Sequence, residues 1–368
     1  MRRYVNKVLS DADIQLNGNR SWDLQIRDER FFPKVLWQGS MGMGESFMDG
    51  WVDCEQMDES IHKILKSPIS ERYNPLWLSG ITTIKAILAN KQSKKRADIV
   101  GKRHYDLSNH LFQCMLDKRM TYSCGYWKTA KNLDEAQEAK LDLACRKLNL
   151  QPGMKVLDIG CGWGSFAKYA AEKYGVHVVG ITVSREQLEL GRQICKGLPI
   201  EMRFQDYRDV SEKFDRIVSI GQMEHVGYKN YRIYMHTAYN ALKEDGIFLL
   251  HTIGSNRSVY RGDPWIDKYI FPNGMLPSAA QLAKASERYF VMEDWHNFGA
   301  DYDKTLMAWH QNFVNHWPEL KKEYDERFYR MWKYYLLACA GGFRSRQMQL
   351  WQIVYSKRGV PGGYISPR

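Results

Sequence analysis

The run Val156-Leu157-Asp158-Ile159-Gly160-Cys161-Gly162-Trp163-Gly164 constrains this chain more than any other. A short apolar stretch enters a glycine-rich turn, and Ser165–Tyr174 follows with the length and spacing of a helix. A buried strand, a tight turn and a helix satisfy that order. Strands are expected at Lys155–Ile159, His177–Ile181, Glu201–Phe204, Arg216–Ile220 and Gly246–His251, with a second helix at Glu186–Cys195. Such alternation implies a parallel sheet. Two more strands, Tyr289–Glu293 and Trp351–Tyr355, flank a long aromatic-rich helical stretch, Lys304–Ala340. The expected fold is α/β: a Rossmann-like, doubly wound sheet with a helical insertion and a small N-terminal domain.

A length of 368 residues suits two domains. Residues 1–75 are expected to form the N-terminal domain, 76–98 a linker and 99–368 the main domain. Trp77–Gln92 reads as a helix, and Lys91, Lys94, Lys95, Arg96, Lys102 and Arg103 form a basic run. Gly39-Ser40-Met41-Gly42-Met43-Gly44-Glu45-Ser46 resembles a phosphate loop but lacks Gly-Lys-Ser/Thr and follows no convincing strand, so it reads as a turn. No apolar run reaches the roughly 18 residues of a membrane span. The amino end has no apolar h-region, so a cytoplasmic protein is expected. Lysine and arginine outnumber aspartate and glutamate by 11. That surplus points to an anionic partner (nucleic acid or a phospholipid surface) or to a solvated linker. Arg344 and Arg346 form a second, smaller basic patch. The seven cysteines are odd in number and contain no C-x-x-C pair, which fits a reducing compartment and neither a disulfide frame nor a metal site.

The glycine turn has the spacing G-x-G-x-G with an acid two positions earlier, unlike the G-x-G-x-x-G of dinucleotide folds. This pattern suits S-adenosyl-L-methionine. Asp158 can orient the turn, Gly160 and Gly162 make room for the amino-acid part, and Gly164 opens the helix. At the end of the second strand Thr182 and Gln187 can bond the ribose hydroxyls, where an acid is more usual. Ser184 and Gln187 equally fit a helix capping box. After the third strand, Asp206 with its neighbour Tyr207 is the candidate for the adenine amino group; an exposed loop aspartate is the alternative.

Several further motifs stand in register: Tyr122-Ser123-Cys124-Gly125-Tyr126-Trp127, Met223-Glu224-His225-Val226-Gly227, Leu250-His251-Thr252-Ile253-Gly254 and Phe298-Gly299-Ala300-Asp301-Tyr302. With the glycine turn they resemble the cyclopropane-fatty-acyl-phospholipid synthases over nearly the whole chain. The segment Gly39 to Trp51 matches the N-terminal domain of the bacterial phospholipid enzymes. The resemblance implies a class I S-adenosylmethionine-dependent methyltransferase fold, with 99–368 catalytic. It implies transfer of a methylene group to the cis double bond of unsaturated phospholipid acyl chains. Tyr122 and Ser123 would contact the cofactor, as would Gly160, Gly162, Thr182 and Gln187. Cys124, Glu224, His251 and Tyr302 would hold a bicarbonate ion beside the alkene. Cys339 matches a cysteine held to be catalytic, yet no base adjoins it in sequence and a buried structural thiol is the usual state. Met223 stands where many members carry phenylalanine. The resemblance also implies a homodimer, peripheral to the inner face of the cell membrane.

The chemistry asks for such residues. A sulfonium methyl added to an alkene leaves a carbocation that must be shielded from water and is favoured near aromatic faces by ~2 kcal/mol. Tyr302 and His251 can donate hydrogen bonds to an anion, and Glu224 can orient it. Without the resemblance His251 reads as a satisfied core histidine and Tyr302 as core or surface. Two rivals remain open: a methyltransferase acting on RNA or a small molecule, and a non-catalytic membrane-surface binding protein. No RNA-binding module accompanies the basic charge, so no nucleic-acid partner is expected.

Overall fold

The computed structural model describes residues 1–67 and 108–368. The helix expected at Trp77–Gln92, the linker 76–98 and the basic run from Lys91 to Arg103 lie outside the described residues. The chain divides into two compact units. One gathers the described part of Met1–Ala89 with Arg261–Pro272 and Tyr302–Met348; the other gathers the described part of Asn90–Tyr260 with Asn273–Asp301 and Gln349–Arg368.

In the first unit a two-stranded antiparallel sheet, β1 (Gln25–Ile26) and β2 (Val52–Asp53), accompanies helices that bury Phe31, Phe32, Phe47, Trp265 and Trp332. Gly39–Ser46 is not the expected turn: Ser40–Met48 is an α-helix. Its glycines serve packing, since a Cβ on Gly44 would lie 2.4 Å from the Trp265 ring. Only a bare backbone admits the indole there. Arg344 is no headgroup patch either: it pairs with Asp58 (2.7 Å), Glu59 (3.1 Å) and Asp303 (3.0 Å). The helical stretch expected at Lys304–Ala340 is two helices, Ala300–Leu320 and Glu326–Arg344.

The second unit is built on seven strands, β3 (Lys155–Ile159), β4 (His177–Thr182), β5 (Ile200–Phe204), β6 (Phe214–Ile220), β7 (Leu242–Ser255), β8 (Val291–Asn297) and β9 (Met348–Ser356), in the order β5-β4-β3-β6-β7-β9-β8. β3 pairs in parallel with β4 and β6, β4 with β5 and β6 with β7; β8 and β9 are antiparallel. Six of the seven expected strands form with ends moved by a few residues at most. The one expected at Tyr289–Glu293 begins at Val291 and runs on to Asn297, because its pairing with β9 continues to Trp351.

Strand side chains alternate between two cores. Leu157, Ile159 and Ile181 join one face with Tyr234, Met235 and Leu282, while Val156, Val178 and Val218 join the other with Leu141, Phe166 and Ala167. Helices therefore cover both faces, as a doubly wound sheet requires. The chain leaves β3 toward β4 and β5, then returns to β6 on the opposite side. That reversal opens a crevice at the carboxyl ends of β3 and β6, the usual ligand position in such sheets.

Candidate active site

The glycine turn follows β3 into that crevice. Asp158 sits on β3 opposite Gly180 and Val218. Gly160 (φ +80°) donates to the Ile181 carbonyl at 3.0 Å, and a Cβ there would meet Gln222 at 2.4 Å. Gly162 (φ +57°) faces open space, with no atom within 4 Å of its would-be Cβ. The left-handed backbone and the close approach both demand glycine. Gly164 then starts the helix Ser165–Tyr174.

Thr182 and Gln187, the ribose candidates, are both buried and joined to each other at 3.2 Å. Ser184 caps the next helix by accepting from Gln187 N at 3.3 Å. The capping box is only half made, because the Gln187 side chain meets Thr182 and Ser184 N donates to Thr182 Oγ1 (3.1 Å). The Asp206 carboxylate caps the short turn Tyr207–Asp209 by accepting from Arg208 N. The Tyr207 ring packs edge-on against Tyr234.

A buried polar stripe on the helix Leu133–Lys147 lies behind the Tyr122–Cys124 segment. Gln137, Lys140 and Lys147 are each fully buried. Gln137 donates to the Ser123 carbonyl (2.7 Å), and Lys140 Nζ to the Ser123 hydroxyl (2.8 Å). Tyr122 packs edge-on to Phe112, and the Cys124 thiol donates to the Gly125 carbonyl at 3.1 Å. Burial pulls Lys140 down to about 8, while the charges of Asp117, Cys124 and Asp158 oppose it. Burial pushes Asp158 up to about 7 against the pull of Lys140, and its Oδ2 is buried without a partner.

Glu224 follows β6, and His251 lies on β7 in register with Ile220, the last residue of β6. Glu224, on the short helix Met223–Val226, accepts from Ile253 N at 2.7 Å through Oε1, while the Gly221 N–H donates to the His251 carbonyl at 3.0 Å. Burial raises Glu224 to about 7, and its Oε2 has no partner. His251 is held well below the usual imidazole range by burial, then by Lys140, Lys147 and His296. Its Nδ1 faces the Gln352 amide nitrogen at 3.3 Å. That nitrogen only donates, so Nδ1 accepts and the proton of the neutral ring sits on Nε2, which is buried without a partner. Phe298 packs edge-on to the ring. Met223 is wholly buried in the sheet core. His251 thus carries an unpaired N–H, and Glu224 and Asp158 carry unpaired carboxylate oxygens, a donor and two acceptors that a small polar ligand would satisfy.

Tyr302 and Cys339 belong to the other unit. Tyr302 packs on Phe343 (4.5 Å between centroids) and Trp309. Burial pushes the Cys339 thiol up to about 12, with Asp263 adding to it, so thiolate is scarce near neutral pH. Sequence reasoning missed Gln137, Lys140, Lys147 and Gln352. Polar residues at positions 137, 140 and 147 share one helix face, which was a visible signal, but such a face normally reads as solvated.

Comparison with known proteins identifies the family and the fold. The model of the family described as mycolic acid cyclopropane synthetase covers residues 92–353. The chain is 54% identical over 361 residues to the cyclopropane-fatty-acyl-phospholipid synthase of Escherichia coli (strain K12), covering 98% of this chain and 94% of that one. It is 39% identical over 277 residues to a probable fatty acid methyltransferase of Pseudomonas putida, covering 72% and 70%. Among solved structures, cyclopropane synthase MmaA2 from Mycobacterium tuberculosis superposes with a TM-score of 0.67 at 33% identity, covering 71% of this chain and 98% of that one. Mycolic acid cyclopropane synthase CmaA1, complexed with SAH and CTAB, gives 0.66 at 34%, with the same coverage. The sheet is accordingly the class I, Rossmann-like methyltransferase fold. By sequence and by structure the chain belongs to the mycolic acid cyclopropane synthetase family, as an S-adenosylmethionine-dependent enzyme of the cyclopropane-synthase kind.

Proposed function

We propose that the chain transfers a methylene group from S-adenosyl-L-methionine to the cis double bond of unsaturated acyl chains in membrane phospholipids, forming a cyclopropane ring. One observation carries the reading: Asp158 Oδ2, Glu224 Oε2 and His251 Nε2 are buried, polar and unpartnered at the carboxyl ends of β3, β6 and β7. The near full-length identity to the Escherichia coli relative supports the same substrate class.

In this reaction the alkene electron pair forms the new C–C bond to the sulfonium methyl, and the S–C bond breaks to leave a neutral thioether. The neighbouring carbon becomes a cation, the new methyl loses a proton, and the ring closes. Asp158 and Ser123 would receive the donor's polar end beside Gly160 and Gly162. The half-protonated Glu224 and the neutral His251 would face the reacting end with one acceptor and one donor, in a setting kept dry by Phe298 and the sheet core. These two groups, with the Cys124 segment, are our candidates to hold bicarbonate as a bound ion, which would supply the base for the departing proton. Removing CO2 and bicarbonate from the assay is expected to lower turnover sharply; unchanged turnover would remove the ion.

The net charge of +11 supports a peripheral position on anionic lipid at the inner face of the membrane, and the N-terminal domain is our candidate for homodimer contacts. The main test combines labelled S-adenosylmethionine with unsaturated phospholipid vesicles and weighs the fatty acids. A gain of one CH2 with loss of the alkene is expected. A gain with the alkene intact means ordinary methylation, and label entering only RNA or a small molecule refutes the lipid reading.

A further inference from the structure

We propose that Lys140 is a positioning residue for the donor site: its buried ammonium fixes the Ser123 hydroxyl and favours the ionised form of the Asp158 carboxylate, to meet a cationic ligand. This rests on the cofactor reading above. Lys140 is 0% exposed, and its ammonium donates to a neutral group, Ser123 Oγ, at 2.8 Å. A buried ammonium is costly unless negative charge compensates it. The ionisable groups whose charges act on it are Asp117, Cys124 and Asp158, and it acts in turn on His251. The Asp117 carboxylate is already taken by Thr121 N (2.8 Å), Thr121 Oγ1 (3.3 Å) and Arg119 N (3.0 Å). Cys124 bonds the Gly125 carbonyl as a thiol. Asp158 remains, with Oδ2 buried and unpartnered two positions before Gly160.

The lysine thus serves two elements at once. Together with Gln137 it anchors Ser123, which the helix Leu133–Lys147 carries on its buried face. Its charge also opposes the burial that pushes Asp158 up to about 7. Without that charge Asp158 would take up a proton at still higher pH, and a protonated carboxyl loses its attraction for the ammonium of the amino-acid moiety. Ligand affinity should then fall near neutrality and recover as pH rises.

The experiment titrates the whole chain with S-adenosylhomocysteine by calorimetry between pH 6 and pH 8.5, using Lys140→Met, Lys140→Gln and Lys140→Arg beside the native protein. The glutamine keeps a donor for Ser123 and removes only the charge. At pH 7 both neutral variants should bind at least about fivefold more weakly, as for one pKa unit on a group that titrates at about 7. By pH 8.5 the glutamine variant should come within about threefold of native, the gap narrowing as Asp158 ionises, and Lys140→Arg should keep the native profile. Folded neutral variants whose Kd runs parallel to native across the range would overturn the proposal. Should neither neutral variant fold, Lys140→Arg decides: a native pH profile supports the proposal and a displaced one overturns it. Native protein that does not bind S-adenosylhomocysteine at all would refute the cofactor reading instead.

Discussion

Replacing Glu224 by glutamine should stabilise the ligand-free protein at alkaline pH while abolishing turnover. The side chain is buried, one oxygen is unpartnered, and burial lifts its pKa from 4.5 to about 7. The folded state therefore binds a proton that the unfolded state has released, so stability is lost as pH rises from 4.5 to 7 and stays low above that. The shift corresponds to roughly 3 kcal/mol. Glutamine carries no charge and escapes this loss, at a pH-independent cost of about 1 kcal/mol for an unpaired buried amide. With a melting entropy of about 2 cal/mol/K per residue over 368 residues, the advantage of Glu224→Gln should grow by roughly 3 °C between pH 5 and pH 8. Thermal unfolding followed by circular dichroism across that range measures it directly. Because other titrations are common to both proteins, only the change in their difference matters. A difference in Tm that stays constant with pH would refute the assignment of Glu224 as a strained buried acid. Stability gained together with activity lost is the mark of a group kept for function.

Three further outcomes are expected, two from the structure and one from the sequence. Gly44→Ala drives a Cβ into the Trp265 ring and should cost about 1–3 kcal/mol, read as a lower melting temperature; an unchanged Tm would mean that the helix Ser40–Met48 can shift away. Cys339→Ser should keep most of the turnover, since a thiol pushed up to about 12 offers little thiolate; a loss beyond about a hundredfold, the scale of direct chemical participation, would restore a chemical role. Neutralising Lys94, Lys95 and Arg96 should weaken sedimentation with anionic vesicles and flatten its salt dependence, each charge contributing about 1 kcal/mol. Unchanged sedimentation would place the membrane contact elsewhere.

The sheet was largely legible before the structure. Apolar runs of five to seven residues separated by helical periodicity admit little else, and β3 and the helix Ser165–Tyr174 fall where their residues put them. Gly39–Ser46 misled because glycine signals a turn by conformational freedom but also permits a tight helix contact, and only the packed Trp265 tells these apart. The Thr182–Gln187 link was missed for a similar reason: a cap and a side-chain pair need the same residue types at the same spacing. Lys140 and Lys147 illustrate the larger limit. Helical spacing says which residues share a face and is silent on whether that face meets water or another layer of protein. From the chain alone came the strand–turn–helix that is our candidate to receive the donor; Glu224 and His251 entered through the family resemblance. The tertiary structure decided their protonation. Burial, a property of the surroundings, lifts Glu224 and Asp158 toward neutrality and holds His251 uncharged, and no local sequence encodes how far water is excluded.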